Sequence, residues 1–175
     1  MNETSGRPLR VLFLCTHNSA RSQIAEALLS ARRNTGLLAA SAGTESAERV
    51  HPRAVEELAR RGIDWSGARP KSVEDVADET WDIVITVCDR ARERCPAFRG
   101  HPVTAHWRIA DPTQVEGDEH ERQHAFSEAA LMLGRRIDLL LALPFRSLER
   151  MALEYRMGQI GTETNDNTSA TGGRV

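Results

Sequence analysis

Residues 9–22 of the chain, LRVLFLCTHNSARS, decide how it folds. The stretch begins with a run that is almost entirely apolar and β-prone, which is typical of a central parallel strand covered on both faces. This run ends at Cys15. After a short polar segment, apolar residues recur at helical spacing, at Ala20, Ile24, Ala27, Leu28 and Ala31. The sequence therefore predicts a strand, a loop and a helix, in that order.

The rest of the chain repeats this alternation of strands and helices. Further strands are predicted at 37–42, 83–87 and 103–107. Helices are predicted from 51 to 62 and, as a long apolar stripe, from 126 to 141. This alternation predicts a three-layer α/β fold, with a four-stranded parallel sheet in the order 2-1-3-4 and helices on both faces. Ligands bind beyond the carboxyl ends of such strands, which is where Cys15 and Cys88 fall.

Length and composition indicate one soluble domain. The chain has 175 residues and a mass of 19.4 kDa, with 40% hydrophobic and 27% charged residues and a mean hydropathy of -0.45. A short amphipathic helix is predicted at 145–157, with one apolar side formed by Phe145, Leu148, Ala152 and Tyr155. The end of the chain is rich in Gly, Thr, Asn and Ser. We therefore expect a single domain over residues 1–157 and a disordered tail over 158–175.

Charge and cysteine content narrow the classes of protein. The chain has 23 basic and 25 acidic residues, a net charge of -2 and a pI of about 6.3, which argues against nucleic acid as the main partner. The first residues are polar and the apolar run behind them is too short for a signal peptide or a membrane span. We therefore expect a cytoplasmic protein without membrane contact. We also expect a monomer. Its three cysteines are better interpreted as reactive thiols or metal ligands than as a disulfide framework.

The segment from Cys15 to Ser22 has the form C-x5-R-S and predicts an anion site. A loop of this length that enters a helix can turn several backbone N–H groups inward and bind a tetrahedral oxyanion. Arg21 would close the ring, since its planar guanidinium suits two oxygens of the anion. The candidate binding residues are Thr16, His17, Asn18, Ser19, Ala20, Arg21 and Ser22.

The same positive field predicts a nucleophilic Cys15. A thiol at a helix N-terminus beside a guanidinium has its pKa lowered from about 8.5 to roughly 3.5–7.5, so we expect a thiolate at neutral pH. Ser22 is placed to donate to the sulfur, and Asn18 to brace the loop. The alternative is a small buried Cys15 and a surface Arg21. Placement between a strand and a helix favours the catalytic interpretation.

Cys88 and Cys95 form a C-x6-C segment. Zinc sites prefer two to four residues between paired cysteines, so this gap favours two thiols that act in sequence. If residues 89–94 are helical, the two Cα atoms would lie about 10 Å apart, whereas a disulfide requires roughly 4.4–6.8 Å. Oxidation should therefore unwind the segment. The alternative is an exposed basic helix with two idle thiols.

Asp111 and residues 120–124 are further candidates. Asp111 precedes a proline and is held extended, so a protonated carboxyl there would serve as a general acid over the anion site. Taken alone, it is more typical of a helix cap or turn. Residues 120–124 spell H-E-x-x-H, a zinc pattern, but they open an acidic, exposed first turn, and we predict no metal there.

Together these motifs resemble the thioredoxin-coupled arsenate reductases, which share the fold of low-molecular-weight protein tyrosine phosphatases. The resemblance covers about residues 10–143 and rests on the Cys15 loop, Ser41-Ala42-Gly43, Cys88 with Cys95-Pro96, His106-Trp107 and Asp111-Pro112.

The resemblance implies a relay of three thiols. Cys15 attacks arsenate held by the loop and Arg21, while Asp111 protonates the departing oxygen. Cys88 then attacks the Cys15 adduct, and arsenite departs. Cys95 attacks the resulting Cys15–Cys88 disulfide and forms a Cys88–Cys95 disulfide. Thioredoxin then reduces this disulfide, and the resemblance implies no resident cofactor.

Some members of the family also bind potassium, through residues that match Asn18, Glu26 and Ser41. This chain lacks the further carboxylate expected near Pro70-Lys71.

Two other functions fit part of this pattern. A tyrosine phosphatase needs only Cys15, Arg21 and Asp111, but Thr113-Gln114 stand where such enzymes carry aromatic residues, and two thiols would be idle. A non-enzymatic protein with three thiolates would instead capture arsenite or another soft metal without oxidation of the thiols.

Overall fold

Four parallel strands form the centre of the molecule. The structure, a computed structural model, describes residues 6–145 and 150–162. The strands are β1 (Leu9–Cys15), β2 (Leu37–Gly43), β3 (Ile83–Thr86) and β4 (Val103–His106). They form one sheet in the order β2-β1-β3-β4. Both the predicted order and, to within one residue, the predicted strand bounds are confirmed.

Helices follow most of the strands. They are α1 (Arg21–Ser30), α2 (Pro52–Arg60), α3 (Val73–Val76), α4 (Asp89–Glu93), α5 (Glu119–Leu141) and α6 (Arg150–Thr162), with a 3-10 turn at Pro112–Gln114. The single turn α3 was not predicted. It is stabilised by reciprocal side-chain capping between Ser72 and Asp75. Within the described ranges, none of the helices is both long and apolar enough to cross a membrane.

Burial of β1 shows that both faces of the sheet are covered. The side chains from Val11 to Leu14 are fully buried, and successive side chains of a strand point to opposite faces. Helices therefore pack on each side, which confirms the three-layer arrangement. On one side α1 packs against α5, whose buried positions include Phe126, Leu133 and Ile137.

Strand register brings the candidate residues to one edge. Cys15 lies beside Gly43 of β2, and Leu14 lies beside Thr86 at the end of β3. The strands are parallel, so their carboxyl ends share this edge. Cys88 follows two residues after β3, and the structure thus brings two of the three cysteines to the same edge of the sheet.

The last helix differs from the prediction. α6 spans Arg150–Thr162 rather than 145–157, so residues 158–162 are helical where the tail was expected to begin. Tyr155 is 70% exposed, not on an apolar side, whereas Met157 and Ile160 are buried. Met157 and Ile160 are buried because α6 packs against β4. The rest of the predicted tail, 163–175, lies outside the described residues, as do the side chains of Leu148 and Ala152.

Candidate active site

The loop after β1 is held from outside by the chain that follows β2. Backbone amides of residues 44–51 donate to carbonyl oxygens of the loop. The pairs are Thr44 to Cys15 (3.2 Å), Glu45 to Thr16 (2.8 Å), Ala47 to His17 (2.9 Å) and His51 to Ser19 (2.7 Å). With its carbonyls directed to this segment, the loop keeps its N–H groups for its inner side. The first N–H groups of α1 are also available, since no side chain caps its N-terminus at Ala20.

Gly43 lets β2 approach this loop closely. A Cβ atom at this position would lie 2.7 Å from the carbonyl oxygen of Thr16 and 2.9 Å from the amide nitrogen of Asn18. Both are backbone atoms that cannot move independently of the loop. Gly43 is therefore required for the observed loop geometry, a role the sequence motif alone did not reveal.

Asn18 braces the loop as predicted. Its backbone has a positive φ of 50°, which Asn tolerates better than most residues. Its side chain is fully buried. The amide group donates to Ser22 Oγ (2.8 Å), and its oxygen accepts from Gln23 Nε2 (3.0 Å) and from the amide of Lys71 (2.8 Å). All the hydrogen-bonding groups of this side chain are thus directed to fixed partners.

Gln23 and Trp65 complete the brace. Gln23 is buried, and its oxygen accepts from Trp65 Nε1 at 2.8 Å. Sequence reasoning missed both residues, because a Gln in a helix and a Trp in a loop carry no pattern that connects them.

Cys15 is enclosed by hydrogen-bond donors. Its sulfur lies 2.8 Å from Ser22 Oγ and accepts from the amide of Asn18 at 3.2 Å. Burial raises the pKa of the Cys15 thiol, whereas Ser22, Arg21 and Asn18 act to lower it. The expectation of a lowered pKa for the Cys15 thiol is therefore wrong. The reason is that Cys15 is only 3% exposed, and loss of solvation outweighs the donors.

Arg21 and Asp111 face each other beside the loop. Arg21 Nη2 donates to Asp111 Oδ2 at 3.0 Å, and Nη1 donates to the carbonyl of Ile109, also at 3.0 Å. The other oxygen of Asp111 accepts from the amide and hydroxyl of Thr113. Asp111 therefore does cap the turn at 112–114, and it also pairs with the arginine. The guanidinium of Arg21 is thus bound to the segment that contains Ile109 and Asp111.

Cys88 lies against the loop. Its sulfur is 3.4 Å from Thr16 Oγ1 and accepts from the amide of Ala91, also at 3.4 Å, as the N-cap of α4. The cysteine is 6% exposed. A second thiol is thus held next to the residue that follows Cys15. The predicted helix between Cys88 and Cys95 is present as the short α4.

Cys95 opens in a different direction. It is half-buried, and burial raises the pKa of its thiol. It borders a cavity of about 530 Å³, whose walls include Arg92 of α4, His106 of β4, and Gly158 and Thr162 of α6. Cys15 and Cys88, which lie at the loop, are not among the residues that line this cavity.

The remaining loop residues differ in exposure. His17 is exposed and contacts the carbonyl of Glu45 through Nδ1 (3.0 Å). Ser19 is half-buried and Ala20 is buried.

The residues suggested for potassium do not fit a cation here. Glu26 accepts from the Ser41 hydroxyl, and the ammonium of Lys71 lies 3.6 Å from its carboxylate. Asn18 Oδ1 is already bound by Gln23 and by the backbone of Lys71. A fixed positive charge therefore stands beside the only carboxylate of this set.

The H-E-x-x-H motif has a structural role. Glu121 forms a reciprocal cap with Asp118 at the start of α5, and His124 pairs with Glu128. In the part of the chain that the structure describes, no group of three or more His, Cys, Asp and Glu side chains is arranged to hold a metal ion.

Comparisons with known proteins agree with this geometry. An arsenate reductase of Bacillus licheniformis is 35% identical over 127 residues, 73% of this chain and 91% of that protein. A solved arsenate reductase from Archaeoglobus fulgidus is 31% identical with a TM-score of 0.56, and the match covers 73% of this chain and 98% of that chain. A thioredoxin-dependent arsenate reductase from Corynebacterium glutamicum is 32% identical with a TM-score of 0.55, covering 78% of this chain and 65% of that chain.

The resemblance to arsenate reductases is thereby confirmed. Residues 10–152 match the family described as low molecular weight phosphotyrosine protein phosphatase. This range contains the loop from Cys15 to Ser22, Asp111 and all three cysteines. The chain therefore belongs to the low molecular weight phosphotyrosine protein phosphatase family.

Proposed function

We propose that this protein is an arsenate reductase that converts arsenate to arsenite through its three thiols and is recycled by thioredoxin. The observation that carries the proposal is the position of Cys88, whose sulfur lies 3.4 Å from Thr16 in the loop around Cys15. A phosphatase has no use for a second thiol at this point. Similar proteins are named arsenate reductases, and one of them is named thioredoxin-dependent.

Arsenate binds in the loop from Thr16 to Ser22. The N–H groups on the inner side of the loop and at the start of α1 are donors for a tetrahedral oxyanion. Arg21 leaves Asp111 and Ile109 for the anion, since a guanidinium pairs well with two oxygens. This movement directs the guanidinium to the anion and frees the carboxyl of Asp111 for its role in the reaction.

The first step forms a bond between sulfur and arsenic. The Cys15 thiolate attacks the arsenic atom, and one oxygen of arsenate departs as water after Asp111 donates a proton to it. Ser22 and the amide of Asn18 support the thiolate through their hydrogen bonds to the sulfur. Arsenic is still pentavalent in this adduct.

The second step reduces arsenic. The Cys88 thiolate attacks the Cys15 sulfur, a Cys15–Cys88 disulfide forms, and the electron pair of the sulfur–arsenic bond stays with arsenic, which leaves as arsenite. Two thiols have then supplied two electrons. In the third step the Cys95 thiolate attacks Cys88, which releases Cys15 and leaves a Cys88–Cys95 disulfide.

An external dithiol closes the cycle. Thioredoxin reduces Cys88–Cys95, so the protein needs no resident cofactor or metal. We further propose that the protein acts as a monomer in the cytoplasm, where reducing conditions keep thiols available.

The deciding experiment treats the fully reduced protein with arsenate alone and maps its disulfides by mass spectrometry. We expect Cys15–Cys88 followed by Cys88–Cys95, with one arsenite released per chain. Replacement Cys95→Ser should allow one turnover and accumulate Cys15–Cys88. Recovery of three free thiols after incubation with arsenate would refute the proposal.

The same experiment separates the two other functions. A phosphatase would hydrolyse a phosphate ester in repeated turnovers and leave all three cysteines reduced. A thiolate binding protein would hold arsenite stoichiometrically, again without a disulfide.

A further inference from the structure

Glu45 contacts both the loop from Cys15 to Ser22 and α4, the helix between Cys88 and Cys95. Its backbone amide donates to the carbonyl of Thr16 at 2.8 Å, and its carbonyl contacts His17 Nδ1 at 3.0 Å. Its carboxylate accepts from Arg90 at 2.9 Å and from Arg94. One residue thus connects the loop to two positions of α4.

The two arginines occupy one face of α4. They are four residues apart, so their side chains lie one above the other on the helix surface. Arg90 is in the first turn, and Arg94 is the C-cap residue that directly follows the helix. A helix of five residues has little stability of its own, so contacts of this kind decide whether it stays folded.

A second set of contacts, which does not involve Glu45, also holds the first turn of α4. Asp89, next to Cys88, is bound by His106 Nε2 at 2.9 Å and by Arg108 at 3.1 Å. These partners lie on and after β4. Without the Glu45 contacts, Asp89 would still hold the first turn of α4 near the sheet, whereas Arg94 at the Cys95 end would lose its ion pair.

We propose that Glu45 is a positioning residue that sets the order of the thiol exchanges. It keeps α4 folded while Cys88 faces the loop, and its release from Arg90 and Arg94 allows Cys95 to reach Cys88. The inference rests on the proposed function, because it concerns the third step of the relay.

That step requires α4 to open. The Cys95 thiolate attacks Cys88 of the Cys15–Cys88 disulfide, a new sulfur–sulfur bond forms, and Cys15 departs as a thiolate, with no net change in oxidation state. Seven residues along a helix span about 10 Å, whereas a disulfide needs Cα atoms roughly 4.4–6.8 Å apart. Arg94, immediately before Cys95, must move in this change.

Glu45, Arg90 and Arg94 lie near the surface, so we expect their ion pairs to have a small effect on the rate of the third step. The Glu45 carboxylate is 39% exposed, and both arginines are 54% exposed. Ion pairs of this exposure are weak, and salt screens them. We therefore expect Glu45 to slow the third step by about two- to fivefold at low salt, and less at high salt.

The test is a single turnover of the whole chain with arsenate and no reductant. Samples are quenched with an alkylating agent, and the two disulfides are quantified against time. In Glu45→Gln, we expect Cys15–Cys88 to convert to Cys88–Cys95 about two- to fivefold faster than in the wild type. The wild-type step should accelerate when salt is raised from about 0.05 to 0.5 M, and the variant should lose this response.

Two matched controls isolate the contact. Glu48→Gln makes the same charge change in the same segment and should retain the wild-type rate and salt response. Arg94→Gln should behave like Glu45→Gln, whereas Arg92→Gln should not, because Arg92 makes no ion pair among the described residues. Arg92 and Arg94 lie outside the loop. The comparison of Arg94→Gln with Arg92→Gln therefore tests the same contact even if a substitution at Glu45 disturbs the loop.

The outcomes distinguish this inference from the proposed function. If the wild type forms both disulfides but Glu45→Gln and Arg94→Gln match it in rate and salt response, only the role of Glu45 is wrong. If the wild type forms no disulfide with arsenate, the proposed function is wrong, and the role of Glu45 falls with it.

Discussion

Ser22 is the side chain that touches the candidate nucleophile most closely. Its hydroxyl lies 2.8 Å from the Cys15 sulfur and 2.8 Å from the side-chain nitrogen of Asn18. It therefore connects the sulfur to the residue that holds the loop in shape. Because it is fully buried, water cannot replace it.

Replacement Ser22→Ala should raise the pKa of the Cys15 thiol further, since the Ser22 hydroxyl acts to lower it. The thiolate fraction at a given pH then falls, and the pH profile of Cys15 alkylation shifts to higher pH. Mass-resolved alkylation rates between about pH 6 and 10 measure this shift. Ser30→Ala, at the exposed end of the same helix, is the control, and an unshifted profile in Ser22→Ala would count against the role of the hydroxyl.

Gly43→Ala should damage the loop without touching a catalytic side chain. The added Cβ would meet backbone atoms of the loop at 2.7–2.9 Å, and overpacking of this kind costs about 1–3 kcal/mol. The displaced loop should lower the rate of arsenate reduction roughly 10- to 100-fold. Single-turnover kinetics and urea unfolding measure the two effects. Gly67→Ala, where a Cβ would meet nothing within 4 Å, should change neither.

Among the elements, α2 carries a cap that depends on pH. His51 precedes Pro52, and its Nδ1 accepts from the amide of Arg53. An imidazole that accepts through this nitrogen must be neutral. Burial lowers the pKa of His51, with Arg53 and Arg49 acting in the same direction and Asp111 opposing them.

The protein should therefore lose stability as the pH falls below about 6.5, where an unfolded histidine takes up a proton. The folded chain takes up this proton only below the lowered pKa of His51. Between the two pKa values, protonation therefore stabilises the unfolded state relative to the folded state. Urea unfolding at pH 7.5 and 5.5 measures the loss. His51→Asn keeps a capping side chain and should show a smaller loss; equal losses in both proteins would contradict this role.

The elements also show how far sequence reasoning extends. The central strands β1 and β3 could be predicted because a strand buried on both faces is a nearly uninterrupted apolar run. The outer strands β2 and β4 are only partly buried and offer shorter apolar stretches. The turn α3 has too few residues for a period to be recognised. In α2, Glu57 is buried, and Arg61 and Ser127 bind its carboxylate. Partners so distant in sequence cannot be read from a helical pattern.

The residues of the candidate site could be predicted from the sequence, but the direction of the Cys15 pKa shift could not. The spacing from Cys15 to Ser22 predicts the loop, and Ser22 and Asn18 lie where it places them. The raised pKa of Cys15 depends on complete burial, which only the packed fold reveals. The contacts of Gly43 and Glu45 likewise arise from the pairing of β1 with β2.

At the scale of the whole molecule, α6 joins the C-terminal part of the chain to the sheet. Ile160 is 6% exposed and Met157 is fully buried. A Cβ on Gly161 would lie 2.3 Å from the carbonyl oxygen of His106, so the helix packs closely against the end of β4. The same helix forms part of the cavity beside Cys95.

Ile160→Ala should therefore lower the free energy of unfolding by about 2 kcal/mol or more, which corresponds to a decrease in Tm of roughly 4–8 °C. Thermal unfolding followed by circular dichroism measures the change. Tyr155→Ala removes an exposed side chain of the same helix and should change stability by less than about 0.5 kcal/mol. A wild-type Tm in Ile160→Ala would mean that α6 adds little to the fold.

The packing of α6 against β4 also bears on self-association. The outer strand of an open sheet presents unpaired backbone groups that can recruit a strand from another molecule. Here β4 is an outer strand, and α6 lies against it. A chain shortened before Arg150 would expose that strand, and we expect it to aggregate on storage at concentrations where the full-length protein stays dispersed.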